Sequence, residues 1–307
     1  MGSQSAVSEP TLADIERRLA AIEARAENIE RDARDTRRLV GPWAVALADG
    51  KLLTHTLNSA LLIVDSTDLI LTPQLVCYRQ WEPDLTDLFW NSCRGDTVFV
   101  DVGANIGYFT VLAGLRIHAG GTGRVIAIEP NPECCALIER NLIINWSMCE
   151  IELHKVAAGA AKGAVWLTYP ANRAANARVS VEADEAGERG FRAAVEPLDA
   201  IVPEGLAVDI LKIDVEGHEY SVFKGAERVI AQSPEIRIVM EWSPKQMKEA
   251  GVSAEALAVT LTQLDLVARR LPTSKTLDGL TPENSPFIRF EELSQMAYDN
   301  ILLTKRA

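Results

Sequence analysis

The sequence predicts an α/β protein built on a doubly wound, mostly parallel sheet, with a separate helix ahead of it. Two observations predict the sheet. Short strand-like runs ending on a carboxylate recur along the chain: Val98-Phe99-Val100 before Asp101, Arg124 to Ile128 before Glu129, Asp209 to Ile213 before Asp214, and Ile236 to Met240 before Glu241. Strands buried on both faces of a parallel sheet read as near-continuous apolar runs, and helical segments alternate with these. A third observation predicts the helix. Apolar or small residues fall at 12, 15, 19, 22, 26, 29, 33, 36 and 40, in alternating steps of three and four.

Composition narrows the function classes. The chain has 307 residues, 48% of them hydrophobic, enough for a real core in one large domain with an appendage or in two domains. Its net charge is −12 with no extended Lys/Arg cluster, so neither nucleic acid nor an anionic membrane is expected as a partner. The five cysteines, at 77, 93, 134, 135 and 149, show neither a C-x-x-C pair nor a framework spacing. Reduced thiols and a cytoplasmic setting are expected. No basic-then-apolar leader is seen, and no apolar run is long enough to span a bilayer.

Taken in order, residues 11–40 form the predicted coiled-coil helix. Leu12, Leu19, Ala26 and Ala33 occupy its a positions, and Ile15, Ile22 and Ile29 its d positions. In a parallel assembly, g pairs with the following e of a neighbour. That gives Arg18 with Glu23, Arg25 with Glu30 and Asp32 with Arg37, all opposite in sign. Leu at a with Ile at d favours three or four strands, so a parallel homo-oligomer is expected, a trimer or tetramer before a dimer. A lone helix packed on its own domain is the weaker alternative. Gly41-Pro42 ends the helix.

Residues 43–95 are a lead-in. The stretch 43–76 alternates, has turn signals at Asp49-Gly50 and Asp65 to Asp68, and reads as β-hairpins. Trp81 to Asn91 reads as a helix with Glu82 and Thr86 on one face. The main domain spans 96–307. A helix starts at Tyr108 and another runs from Pro132 to Asn145. The segment IELHKVAAG is a strand ending near Val156-Ala157, and AVWLTYP is strand-like. Residues 172–190 are polar and read as a loop over the site. Val195 to Ala200 leads into a strand at 208–213, Tyr220 to Ala231 is a helix, IRIVMEWSP a strand, 253–265 a helix, and NILLT at 300–304 a strand.

The chemistry begins at Asp101-x-Gly103-x-Asn105-x-Gly107. Glycines after a strand tolerate a tight bend and let a ligand approach the backbone. A dinucleotide turn wants G-x-G-x-x-G, to seat a pyrophosphate on the helix end. Here an acid precedes the glycines, which repels a pyrophosphate and suits a cationic amino group such as that of S-adenosylmethionine. Glu129, about twenty residues past Gly107, stands where an acid accepts hydrogen bonds from ribose hydroxyls. With Asp214 these acids are expected to converge on one rim, since ligands of open α/β sheets bind outside the carboxyl ends of the strands.

With WEPDLTDLF at 81–89, FVDVGANIGYFT at 99–110, AIEPNP at 127–132, LKIDVEGHEYSVFKGAE at 211–227 and IVMEWSP at 238–244, the sequence resembles the FkbM-type S-adenosylmethionine-dependent methyltransferases. The resemblance runs from about Leu75 to Pro244. It implies a Rossmann-like class I methyltransferase sheet, S-adenosyl-L-methionine as cofactor, and O-methylation of a saccharide or natural-product hydroxyl. It also implies that Glu82 lies near the methionine end of the cofactor and that Ala157 lies along the adenine. The family commonly has a small residue where this chain has His218. The cofactor candidates are therefore Glu82, Asp101, Gly103, Asn105, Gly107, Glu129, Ala157 and Asp214.

Methyl transfer to an alcohol needs alignment of acceptor, methyl and sulfur, and a group to take the proton. Asp214 and Glu241 end adjacent strands, and paired carboxylates raise each other's pKa, which suits a base. His218 is the third candidate. No metal site is assigned, although these two carboxylates carry the oxygen ligands that a divalent cation takes. Two other readings compete: a nicotinamide oxidoreductase, disfavoured by the glycine spacing, and a non-catalytic coiled-coil assembly protein with a vestigial cofactor domain.

Overall fold

A computed structural model describes residues 44–306 except 119, 171–177, 181–187 and 294, together with positions 18–23, 25, 26 and 29 ahead of them. The chain divides into two units, Met1–Trp43 and Ala44–Ala307. In the first, every described position is helical, and Leu19, Ile22 and Ile29 are 55%, 61% and 68% exposed. The heptad positions Leu12, Ile15 and Ala33 lie outside the described residues.

The second unit opens with an antiparallel meander of β1 (Ala44–Ala46), β2 (Lys51–His55) and β3 (Leu61–Asp65). Asp49 and Gly50 both have positive φ, as an Asp-Gly hairpin turn requires. The meander ends sooner than the alternation suggested, because Leu71–Tyr78 is a helix. The Asp68 carboxylate starts it by accepting the backbone N–H of Ile70, Leu71 and Thr72. β3 is fastened to the helix Pro132–Ile144 by side chains. Asn141 Oδ1 accepts the N–H of Ile63 at 2.6 Å, while its Nδ2 donates to the carbonyls of Ile63 and Ile106. Asn145 makes the same two-way contact with Leu61.

The central sheet comprises β4 (Val98–Val102), β5 (Arg124–Ile128), β6 (Glu150–His154), β11 (Ile210–Ile213), β12 (Arg237–Trp242), β13 (Leu266–Arg270) and β14 (Asp299–Lys305). Its order is β13-β14-β12-β11-β4-β5-β6; β14 runs antiparallel to both neighbours and every other pairing is parallel. The chain leaves β4 through β5 to β6, then returns to the other side of β4 as β11. That reversal places a switch point between β4 and β11. The helix Tyr108–Ile117 is buried over most of its length, and Phe89 stands edge-on to Phe99 and Phe109 at 5.2 and 5.3 Å.

A second sheet holds β7 (Ala157–Ala158), β8 (Gly163–Pro170), β9 (Arg178–Ser180) and β10 (Glu188–Glu196), in the order β7-β10-β8-β9. This corrects three expectations. The strand expected from Ile151 to near Val156-Ala157 breaks after His154, and Ala157 joins Val195 in the other sheet. Residues 188–190, read as loop, pair with Thr168 to Pro170 of β8. The single helix over 220–231 is two, Glu219–Lys224 and Glu227–Gln232. They break at Gly225, where a Cβ would lie 2.0 Å from the Gly159 carbonyl oxygen.

Candidate functional site

At the switch point the strand ends open into a cleft of about 310 Å³. Glu82, Gly103, Asn105, Glu129, Ala157, Asp214, His218 and Glu241 all line it. Asp101 and Gly107 are not among its lining residues.

The glycine loop has a steric logic. Gly103 has φ +78°, and a Cβ there would lie 1.8 Å from the Asp214 carbonyl oxygen, so the loop can cross the end of β11 only as glycine. Gly107 has φ +84° and sets the start of the helix against Ile138. Between them, the Asn105 N–H donates to Glu129 Oε2 at 2.8 Å, and the Asn131 N–H donates to Oε1 at 2.8 Å. Glu129 is thus locked by the backbone with a lone pair on each oxygen left for a ligand diol. Burial pushes its pKa up to about 7 against the pull of those two N–H groups.

Asp101 corrects the expectation that it faces the ligand. It is fully buried, and register sets it directly opposite Lys212 across β4 and β11. Lys212 Nζ lies 3.4 Å from Asp101 Oδ1, 3.4 Å from Asp214 Oδ2 and 3.2 Å from the Gly103 carbonyl oxygen. Thr110 donates to Asp101 Oδ2 at 2.7 Å. Asp101 therefore balances the lysine that braces the glycine loop and Asp214 from behind. The one signal of Lys212 in the sequence is a lone cation inside an apolar strand.

The acceptor end is acidic. Glu82 starts the helix Pro83–Ser92 with φ +40°, a strained backbone for a non-glycine residue and one that sites of function tend to hold. Its Oε2 is buried with no hydrogen-bond partner. Burial, then the nearby Asp214 charge, pushes its pKa up to about 7. Glu241, on β12, is raised for the same two reasons, and its Oε2 is likewise buried and unpartnered. The Tyr298 phenol donates to the Glu241 carboxylate, with Gln246 also within reach. Tyr298 and Gln246 line the cleft too. Sequence reasoning missed both, because their approach depends on β14 returning antiparallel beside β12. His218 stands at the start of the helix Glu219–Lys224, with a pKa lowered by burial. Glu219 accepts the N–H groups of Gly217 and Val215, fixing the turn that carries His218. Among the described residues no Lys or Arg lines the cleft, and no group of three His, Cys, Asp or Glu side chains is arranged to hold a metal.

Comparison with known proteins gives the family. The model of the Methyltransferase FkbM domain matches residues 101–267, just over half of the chain. A methyltransferase of Sordaria araneosa, sdnD, is 25% identical over 178 residues, covering 48% of this chain and 68% of that protein. Similar solved structures include a TehB-like SAM-dependent methyltransferase from Corynebacterium glutamicum, 10% identical over 77% of this chain and 94% of that one, with a TM-score of 0.41. Another is P. horikoshii TYW2 in complex with MeSAdo, 12% identical over 84% of this chain and 71% of that one, with a TM-score of 0.43.

Proposed function

This chain belongs to the FkbM methyltransferase family and takes S-adenosyl-L-methionine as its methyl donor, and from that premise we propose that it methylates a hydroxyl group of an uncharged or cationic saccharide or natural product. The cleft fits such a donor. Gly103 has no room for a side chain, Glu129 offers a locked carboxylate to a ribose diol, and the buried Oε2 atoms of Glu82 and Glu241 await a partner. Glu129 would hold the ribose, Ala157 would lie along the adenine, and Glu82 with Asp214 would face the methionine portion. Bound there, the cofactor supplies an electrophilic methyl group. Glu241, steadied by Tyr298, takes the acceptor proton; Asp214 flanks it, and a neutral His218 is the second proton acceptor.

The observation that carries the acceptor class is the charge of the wall. Five lining residues are carboxylates, Glu82, Glu129, Asp214, Glu216 and Glu241, and among the described residues no Lys or Arg lines the cleft. A phosphorylated or carboxylated acceptor would meet uncompensated repulsion. The unpaired carboxylates also argue against a vestigial domain, since buried charge is costly to keep without a task.

Through residues 11–40 the chain assembles as a parallel trimer or tetramer, a reading supported by the g–e charge pairs and by the exposed Leu19, Ile22 and Ile29. Its setting is cytoplasmic, with five free cysteines. Among the described residues no helix is long and apolar enough to cross a membrane. The test is a screen with methyl-labelled cofactor against neutral saccharides, aminosugars and their phosphorylated counterparts. Transfer to a neutral or amino acceptor, at least tenfold reduced in Glu241→Gln, supports the reading. Preferred transfer to the phosphorylated forms overturns it.

A further inference from the structure

The carboxylates at the acceptor end outnumber the cations that face them. Glu82 comes from the helix before β4, Asp214 from the end of β11 and Glu241 from β12. Lys212 sits behind them, already engaged by Asp101, Asp214 and the Gly103 carbonyl. From β14's side the Tyr298 hydroxyl keeps its proton and donates a hydrogen bond to Glu241. From the following turns come Glu216, bonded to Gln246, and Glu219, bonded to the backbone of Val215 and Gly217. His218 is a neutral neighbour. The Oε2 atoms of Glu82 and Glu241 are left buried and unpartnered. Two such oxygens can be satisfied in two ways: by a proton, or by a ligand that brings positive charge.

The geometry points to a proton that the buried Glu82 and Glu241 carboxyls keep in the empty cleft and release to solvent when S-adenosyl-L-methionine binds, so that the base is freed only once the methyl donor is in place. This rests on the cofactor assignment above. Burial and the nearby Asp214 raise both carboxyls, Glu82 to about 7, so such a proton is present near neutral pH. The cycle balances. Binding of the sulfonium displaces one proton to solvent. Transfer then forms the oxygen–methyl bond, breaks the sulfur–methyl bond and passes the acceptor hydroxyl proton to Glu241. The product, S-adenosyl-L-homocysteine, has lost the sulfonium charge, and the cleft has regained the protonation it had when empty. Product therefore faces a neutral carboxyl where the donor faced a carboxylate, which favours its departure.

Calorimetric titration of the full chain with S-adenosyl-L-methionine and with S-adenosyl-L-homocysteine tests this, at pH 6.5 in two buffers of unlike ionisation enthalpy. Close to one proton should leave on binding the donor and clearly less on binding the product. Donor affinity should rise roughly tenfold from pH 6 to pH 8, one decade for each unit of displaced titration. In Glu82→Gln the preference for donor over product should fall by roughly tenfold, and proton release should fall with it. Firm binding of both ligands by the native chain without proton release overturns the proposal and leaves the cofactor assignment standing. Unchanged release in both Glu82→Gln and Glu241→Gln, each still binding, overturns it too. Failure to bind either ligand overturns the cofactor assignment and the proposal together.

Discussion

Replacing Lys212 by methionine removes the one cation that Asp101 faces. Asp101 is 0% exposed and Lys212 3%, so the pair lies out of solvent. Asp101 would keep the Thr110 hydroxyl as partner for one oxygen and lose the charge 3.4 Å from the other. Breaking a buried pair from one side typically costs about 3–5 kcal/mol, because the remaining charge is left uncompensated. Asp214 lies partly exposed at 37% and is re-solvated, so Asp101 accounts for most of the loss. The measurement is urea unfolding at pH 7.5, followed by tryptophan fluorescence. Lys212→Met should be less stable by about 3–5 kcal/mol at pH 7.5. The double variant Lys212→Met with Asp101→Asn should recover much of that loss. A single variant within about 1 kcal/mol of the native chain, the ordinary size of a surface change, would refute the bracing role.

Four further outcomes are expected. Glu82, Glu129 and Glu219 are each raised from 4.5 to about 7 in the folded protein. The folded state then binds more protons than the unfolded one between these values, so their contribution is full below pH 4.5 and lost as pH rises through 7. The urea midpoint without ligand should be higher at pH 5 than at pH 7.5, and the reverse order would count against these assignments. Gly103→Ala should abolish S-adenosyl-L-homocysteine binding, since backbone stands 1.8 Å from the new Cβ; Gly107→Ala meets only the Ile138 side chain at 3.2 Å and should cost about 1–2 kcal/mol of stability while binding persists. Glu129→Gln puts an amide N–H against a backbone N–H and should weaken that binding by roughly tenfold to a hundredfold in calorimetry, with the fold less stable by about 1–3 kcal/mol for the unsatisfied donor. Leu19→Glu with Ile22→Glu should convert the oligomer to monomer in analytical ultracentrifugation, and a native chain that sediments as a monomer would dispose of the coiled coil.

What could be read in the sequence is what burial writes into it. β4, β5, β11 and β12 are sheathed on both faces, so their apolar runs and terminal carboxylates stand out, and Glu129, Asp214 and Glu241 could be placed from spacing alone. β10 was not legible, because Glu188 to Glu196 mixes charge and small residues and owes its form to pairing with β8. The break at Gly225 arises from a crossing with Gly159, distant in sequence. Asp101 was assigned to the ligand because its acid precedes the glycines, yet its partner lies more than a hundred residues away on the neighbouring strand. Tyr298 escaped notice for a related reason: a rim aromatic has no periodicity to betray it.

The Asn141 and Asn145 contacts to β3 have a consequence for how this scaffold diversifies. Strands are ordinarily joined by a ladder of backbone bonds, which makes each one hard to alter without its neighbour. Here two amide side chains hold the edge of the meander onto a helix, and Asn141 touches the Ile106 carbonyl of the cofactor loop with the same nitrogen. Leu62, Ile63 and Val64 of β3 also enter the core beside Phe99, Ile106 and Phe109, so the apolar contact holds the front piece while the two amides set its register on the helix. The outer strand β1 and its turn at Asp49-Gly50, exposed or half-buried, can change while β3, β4 and the glycine loop keep their geometry. Of the segment ahead of β4, Ile70, Leu71 and Trp81 line the cleft, so a library that varies Ile70 and Leu71 and leaves Asn141 and Asn145 alone would be the economical way to change which acceptor is admitted.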